Sequence, residues 1–523
     1  MAVASQLEHY HKLYDPGFLV FDGRQSLMPS CAHFTGYLPR EKLVYQAFFD
    51  ELTELANDNL KAGTPHLPVV ERFKQAIEGD KLLYDLFQEI FLQVDPKYRY
   101  SNQVKDWEDL LCKLDVVLAG PPKFCIAKDD QGKPIAGEPV GVPIYLMFDL
   151  LINTSAGSKL FQNHQFNVAI GALLNTWGEY LTTPDSSRTL NTSPQGWFSP
   201  ESVTMLESGG RGAFHETYHL PNSDPDKGYG FTSWDHFFVR TLKEPVSVTR
   251  PIHDNENPPS GGPPLPNVNK DLFIHHACES TVVRISENVQ LHDRFWLKAQ
   301  PYSLYDMLNG DPLAEQFIGG AVYQTFLSPQ DYHRWHSPVN GTIEKAEVVY
   351  GTYYSALPDE GVQVAGEPDH RGVPFGAYLR SQPWLTFVAT RALIWIRAKN
   401  PKIGLLCFIG IGMVEVSTCD IKAAQDLVGK EVKTGQEIGM FHFGGSGHCL
   451  VFRKDAQIKF DFPEVQTGAR PGDSLPQVPN LPPIEKRPGL LKGDGEEYEQ
   501  PDRYAYIYGT HLWVNSIIGY STA

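Results

Sequence analysis

Apolar residues recur at helical spacing through the first part of this chain. Val44, Phe48, Leu52 and Leu55 follow one helical face, and Phe73, Ile77 and the apolar cluster from Leu82 to Val94 continue the pattern. A further helix is predicted over Phe166–Tyr180, so the chain up to about residue 225 reads as mainly helical. Asn255–Asn267 is rich in proline and glycine and reads as an exposed loop. After it the pattern changes. Phe387–Ile396, Leu405–Ile409 and Val414–Thr418 are rich in β-branched and aromatic residues and predict strands. Beyond Asp461 the sequence is Pro- and Gly-rich through Asp502, and Tyr504–Tyr520 is apolar enough to dock on the body. No internal tandem repeat is evident.

Composition narrows the class. At 523 residues with 41% apolar content, the chain can hold a sizeable core and two or more domains. The net charge of −17 disfavours nucleic acid and anionic membrane surfaces, which attract basic patches. The N-terminus lacks a basic start followed by an apolar run, so no signal or transit peptide is expected. Val142–Ile152 is the most apolar early stretch, but Asp149 breaks it and it is too short to span a bilayer. Seven scattered cysteines suggest free thiols in a reducing compartment, and the profile as a whole is cytoplasmic.

The candidate chemistry lies in two segments. Gly439-Met440-Phe441-His442-Phe443-Gly444-Gly445-Ser446 ends a regular stretch in two glycines and a serine. Glycine leaves the Gly445 carbonyl open to close approach, and Ser446 supplies a hydroxyl that could attack it. Alone, Gly-Gly-Ser-Gly is more often a flexible turn. A hydrolase elbow needs Gly-x-Ser-x-Gly, and His448 occupies the last position, which leaves a serine hydrolase with uncleaved Ser446 as the weaker alternative. The second segment, Asp331-Tyr332-His333-Arg334-Trp335-His336-Ser337-Pro338-Val339-Asn340-Gly341, carries two histidines three apart. No further ligand motif accompanies them, so no metal is predicted. Trp335 alternates with the histidines and should face away from them, into the core.

Together these segments resemble the phosphatidylserine decarboxylase family. Phe237-Phe238-Val239-Arg240-Thr241-Leu242-Lys243 with Arg250-Pro251, Ala277-Cys278-Glu279-Ser280 and Gly351-Thr352-Tyr353-Tyr354-Ser355 match the same family in order. The resemblance implies an α+β fold, with a helical accessory region (1–225), a β-rich, barrel-like catalytic core (226–460) and a C-terminal extension (461–523). It also implies self-cleavage between Gly445 and Ser446. Ser446 Oγ would attack the Gly445 carbonyl, helped by His336 as base and Glu279 as its orienting carboxylate. The ester would lose its carboxylate by β-elimination, and hydrolysis would leave a covalent pyruvoyl group derived from Ser446. The two chains so formed would stay associated. By the same resemblance His333 returns a proton after decarboxylation. His442 reads as a hydrogen-bonded structural histidine.

Within the family, Phe408-Ile409-Gly410-Ile411-Gly412-Met413-Val414-Glu415 and the two histidine-bearing segments look like the soluble fungal decarboxylases acting on tryptophan. The implied substrate is a small aromatic L-amino acid, with phosphatidylserine as the alternative. Tyr353, Tyr354, Phe441, Phe443 and His448 are the candidate pocket residues. Gly447-His448-Cys449 departs from the family pattern. His336–Ile343 and Val432–Gly439 also resemble pieces of lipoyl and biotinyl carriers, but no Met-Lys-Met or Asp-Lys lies between them, which leaves only a shared β-architecture.

Overall fold

The computed structural model describes residues 37–39, 41–94, 102–260, 264–292, 302–356, 376–415, 418–466, 504 and 507–523. The predicted helical face becomes α1 (Lys42–Ala62), α2 (Pro68–Glu78), α3 (Lys81–Gln93), α4 (Trp107–Leu118), α5 (Pro143–Ile152), α6 (Ser155–Phe161) and α7 (His164–Leu181). Side chains start them. Asp80 accepts from the Leu82 and Leu83 amides at α3, Asp106 from Asp109 at α4, and Asn163 from Phe166 at α7. Gly63, at φ 66°, ends α1 with its amide on the last carbonyls.

One hairpin interrupts the helices, β1 (Lys123–Lys128) with β2 (Pro134–Val140), which helical periodicity does not reveal. Helix α5, the apolar stretch from Pro143, is buried at every position. Its Asp149 accepts from the Tyr145 hydroxyl at 2.6 Å and the Gly376 amide at 3.0 Å, so the carboxylate is tolerated there. Among the described residues no helix is long and apolar enough to cross a membrane.

The remaining strands are β3 (Phe273–His275), β4 (Ser280–Glu287), β5 (Ala321–Leu327), β6 (Arg334–His336), β7 (Gly341–Val349), β8 (Arg391–Ala398), β9 (Leu405–Met413), β10 (Cys419–Asp420), β11 (Glu431–Val432), β12 (Glu437–Phe441), β13 (Gly445–Phe452), β14 (Ile458–Phe460), β15 (His511–Leu512) and β16 (Ile517–Ser521). Eight form one sheet in the order β11-β7-β8-β9-β13-β5-β4-β15, and two three-stranded sheets, β10-β12-β6 and β14-β16-β3, accompany it. The barrel-like core is thus an open sheet, not a closed barrel. Its strands alternate. Cys407, Ile409, Cys449, Val451 and Phe326 join the core shared with the helices. Phe408, Leu450 and Tyr323 face the second core, with Trp335 of β6 and Ile518 of β16. The large sheet is therefore the middle layer.

Three strand expectations shift. Phe387 and Val388 close a helix, Gln382–Val388, whose Pro383 suits the first turn, and the strand starts at Arg391. Strand β9 runs through Gly410 and Gly412 to Met413, past its predicted end. Val414 leaves the sheet at φ 48°, donating its amide to the Tyr378 hydroxyl at 3.0 Å. Val416 and Ser417 lie outside the described residues. The tail docks as predicted, β15 extending the large sheet beside β4 and β16 lying between β14 and β3.

Trp335 is buried between Phe408 and Phe441, with ring centroids 5.2 and 4.6 Å away, as its alternation with the histidines requires. A methyl group on Gly439 would meet its ring at 2.5 Å and the Asp420 carbonyl oxygen at 2.6 Å. Gly439→Ala is therefore expected to destabilise the protein by about 1–3 kcal/mol, read as a lower urea midpoint at unchanged slope.

Candidate active site

Strand β13 carries the proposed cleavage bond. Gly444, at φ 135°, makes the turn that only glycine adopts readily, and Gly445 and Ser446 then enter the middle of the large sheet. Gly445 lies opposite Met413 of β9, and Ser446 lies between Gly412 of β9 and Leu327 of β5. Ser446 is fully buried and, among the described residues, its Oγ has no hydrogen-bond partner. Strand alternation points Ser446 and His448 towards the small sheets, and Gly445 and Gly447 towards the helices.

His448 ends a buried relay. The Trp513 carbonyl, which can only accept, takes the His276 Nδ1 proton at 3.3 Å. Ser280 lies 3.1 Å from His276 Nε2 and donates to Thr325 at 2.9 Å, and the Thr325 hydroxyl is bonded to His448 Nδ1 at 2.6 Å. His448 Nε2 has no hydrogen-bond partner among the described residues. Burial holds His448 well below the usual imidazole range and His276 down to about 3, so both are neutral. Phe408 stacks on His448, with centroids 5.6 Å apart.

His336 is engaged differently. Its Nδ1 donates to the Gly435 carbonyl at 2.7 Å, and its Nε2 accepts from the Tyr332 hydroxyl at 2.9 Å. Burial lowers its pKa; the Gly435 bond and the charges of Glu437 and Glu279 only partly oppose this. The Glu279 carboxylate is bonded to Arg250 Nε at 2.5 Å, and Arg250 lies over Trp513 at 4.0 Å. Glu279 therefore reaches His336 through its charge, not through a hydrogen bond. His333 stacks on Phe238 at 3.8 Å, and among the described residues neither ring nitrogen has a partner. Burial pushes its pKa down to about 3.

Arg240, from the Phe-Phe-x-Arg block, donates to the Gln330 and Asp331 carbonyls at 2.6 and 2.9 Å and holds the start of the histidine segment. Asp331 bonds Arg211 Nε at 2.5 Å, the Ser328 amide at 2.7 Å, and lies 3.3 Å from His511 of the tail. Burial would raise its pKa, but Arg211 and His511 outweigh that and lower it. These ties from opposite ends of the chain have no local sequence signal.

The predicted pocket residues divide between two layers. Tyr353 and Tyr354 pack on the helical side, Tyr353 against Gly171 of α7 and Tyr354 against Phe148 and Phe161. Phe443 joins them there, 4.6 Å from Trp177 and 4.8 Å from Trp234. Phe441 lies in the opposite core with Trp335. His442 donates from Nδ1 to Asp235 at 3.0 Å, as the structural reading expects.

Sequence reasoning missed a polar group on the helical side of the cleavage strand. Tyr37 packs 4.8 Å from Phe326 and 6.2 Å from Tyr145, with its hydroxyl against Gly445, where a methyl group would collide with it. Glu415 accepts from the Tyr145 amide at 2.9 Å, its other oxygen is unpartnered, and burial pushes its pKa up to about 8 against the pull of nearby amides. Tyr145 and Asp149, four apart in an apolar helix, were the only available hint.

A buried serine behind two glycines, in the strand that also carries neutral His448, defines a site for chemistry away from water. Family profiles described as phosphatidylserine decarboxylase match residues 67–206 and 234–472. Decarboxylase iboD of Amanita muscaria is 49% identical over 349 residues, 66% of this chain and 93% of that protein. The L-tryptophan decarboxylase of Psilocybe cubensis is 32% identical over 459 residues, 85% of this chain and 95% of that one. The phosphatidylserine decarboxylase proenzyme of Clostridium tetani is 28% identical over 244 residues, 46% of this chain and 68% of that one. The chain belongs to the phosphatidylserine decarboxylase family. It is a carboxy-lyase.

The His442 pair gives a pH test. Burial alone would lower the His442 pKa, but its bond to Asp235 and the charges of Asp235 and Asp420 raise it. The stabilisation is complete below the unfolded value of about 6.5 and fades as pH rises through the raised folded value. Wild type should therefore exceed His442→Gln in stability most on the acid side of that window. Denaturant midpoints across pH would show the gap closing as pH rises.

Proposed function

We propose that the protein is a pyruvoyl-dependent decarboxylase that cleaves itself between Gly445 and Ser446 and acts on a small aromatic L-amino acid, tryptophan first. The observation that carries the cleavage reading is Ser446, a buried hydroxyl without a partner among the described residues, directly after Gly444-Gly445 in the middle strand. The substrate reading is supported by how far the likeness extends. The Psilocybe tryptophan decarboxylases match 85–86% of this chain, helical region included, whereas the phosphatidylserine decarboxylases match 43–49%. The accessory helices 1–225, core 226–460 and extension 461–523 are the proposed units. Unpaired cysteines throughout the described residues support a cytoplasmic setting.

The pyruvoyl group would stand where Ser446 stands, and it would supply a carbonyl that binds the substrate amine and accepts the electrons released with carbon dioxide. The residues present fit such a group. β9 and β5 flank the position, no hydrogen bond holds the Ser446 hydroxyl, and water is excluded on both faces. Pairing on both sides of β13 would also keep the two chains together after the cut. His336 is the proposed base for cleavage; to take the serine proton, its Nε2 must give up the Tyr332 bond. His448, whose Nε2 has no partner among the described residues, is next in line. His333, neutral and unbonded, is the proposed carrier of the proton to the substrate carbon. Phe238 holds its ring, which fits a group kept ready for one transfer. On the helical side Tyr353, Tyr354 and Phe443 would bound the aromatic ring, each ring pair adding about 0.5–1.5 kcal/mol.

Purified protein should be two chains divided before Ser446, the smaller bearing a ketone at its N-terminus, by denaturing mass spectrometry. Ser446→Ala should stay whole and inactive, and phenylhydrazine should inactivate the mature enzyme. An active, undivided wild-type chain refutes the pyruvoyl reading. Carbon dioxide release should favour tryptophan over phenylalanine and tyrosine; release from phosphatidylserine alone would transfer the assignment to lipid.

The histidines should separate. Losing a positioned acid or base costs about 10²–10⁴ in rate. His333→Ala should cleave normally and decarboxylate slowly, whereas His336→Ala should accumulate full-length chain on a gel. Prompt cleavage of His336→Ala would move the base to His448.

A further inference from the structure

Tyr37 comes from the start of the chain, far from every motif that identifies the family, and ends against the proposed cleavage bond. Its ring is held by Phe326 and Tyr145 and is wholly buried. Its hydroxyl occupies the space that any side chain at position 445 would need, so the phenol requires glycine there. The phenol hydroxyl has no hydrogen-bond partner among the described residues. Tyr37 approaches from the helical side. The Ser446 side chain projects from the other face of the same strand.

We infer that Tyr37 is a catalytic residue of self-cleavage, the acid that protonates the departing Ser446 nitrogen. This rests on the proposed cut between Gly445 and Ser446. The acyl shift forms a bond from Ser446 Oγ to the Gly445 carbonyl carbon and breaks that carbon's bond to the Ser446 nitrogen. A base on the serine side takes the Oγ proton. The nitrogen leaves as an amine only if it gains a proton, because an amide anion is too basic to be expelled. A phenol in contact with that peptide, on the face away from the attacking oxygen, supplies it. A later transfer of the proton from the base to the phenolate restores both groups, so the net change is one proton moved from oxygen to nitrogen. Burial keeps the phenol protonated until it is needed, raising its pKa well above the ordinary value; the charges of the Tyr378 and Glu415 groups add to this.

The test follows chain division in freshly synthesised full-length protein, with wild type and Ser446→Ala in parallel. Tyr37→Phe keeps the ring and its packing and removes only the hydroxyl. It is expected to slow division about 10²-fold or more with an unchanged unfolding midpoint. Hydroxylamine, which splits an ester, should not restore division, because without the acid the ester does not form. Division of Tyr37→Phe at the wild-type rate overturns the inference. Rapid splitting by hydroxylamine also overturns it, since Tyr37 would then act after the ester. If Tyr37→Phe folds poorly, a fluorinated tyrosine at position 37 replaces it. This more acidic phenol of similar size should move the alkaline limb of the cleavage profile to lower pH, and an unmoved limb overturns the inference. Wild type that never divides rejects the cleavage reading itself, an outcome distinct from all of these.

Discussion

The pairing of β13 between β9 and β5 is the constraint on which the rest of the site depends. A central strand has no free edge and no wet face, so every group placed on it is desolvated. Ser446 enters that environment with an unbonded hydroxyl, and His448 follows two residues later with an unbonded nitrogen. Buried polar atoms without partners are rare in native proteins because each costs about 1–3 kcal/mol. Two of them on one strand place the cost where the chemistry is proposed.

Burial also sets the charge state of the site. His276, His333, His336 and His448 are all depressed chiefly by desolvation, so they stand as neutral imidazoles able to accept a proton. The charges that do enter are paired across long stretches of chain, Arg211 with Asp331 and Arg250 with Glu279. Removing one partner of such a pair would strand the other in the core, a loss of about 3–5 kcal/mol. The Arg211–Asp331 pair ties the accessory region to the histidine segment, and His511 brings the tail to the same carboxylate, while Trp513 of the tail packs under Arg250.

Much of this was legible in the sequence, and for identifiable reasons. Val44, Phe48 and Leu52 repeat at the period of one helix, and the helix forms with those residues inside. Leu55, on the same arc, is 41% exposed, because the buried stripe is narrower than the apolar one. Trp335 alternated with two histidines and went into the opposite core, as the period of a strand dictates. Phe387 and Val388 misled because their β propensity is weak against a helix begun by Pro383 and packed through Leu385. Gly410 and Gly412 looked like the end of a strand; β9 continues through them, and at Gly410 the lack of a side chain makes room for Trp335.

Local pattern and motif order by themselves determined the helical region, the β-rich core, the docking tail, the family and the serine of the proposed cleavage. These rest on short-range periodicity and on residues that sit together in the chain. Only the tertiary structure decided which groups meet. It turned His336 to Tyr332 and Gly435, gave Glu279 to Arg250, and divided the predicted aromatic wall between two cores. It also brought Tyr37 onto Gly445 and Glu415 onto α5. Such contacts join residues as much as several hundred positions apart, and a linear pattern carries no information about which distant side chains share one desolvated volume.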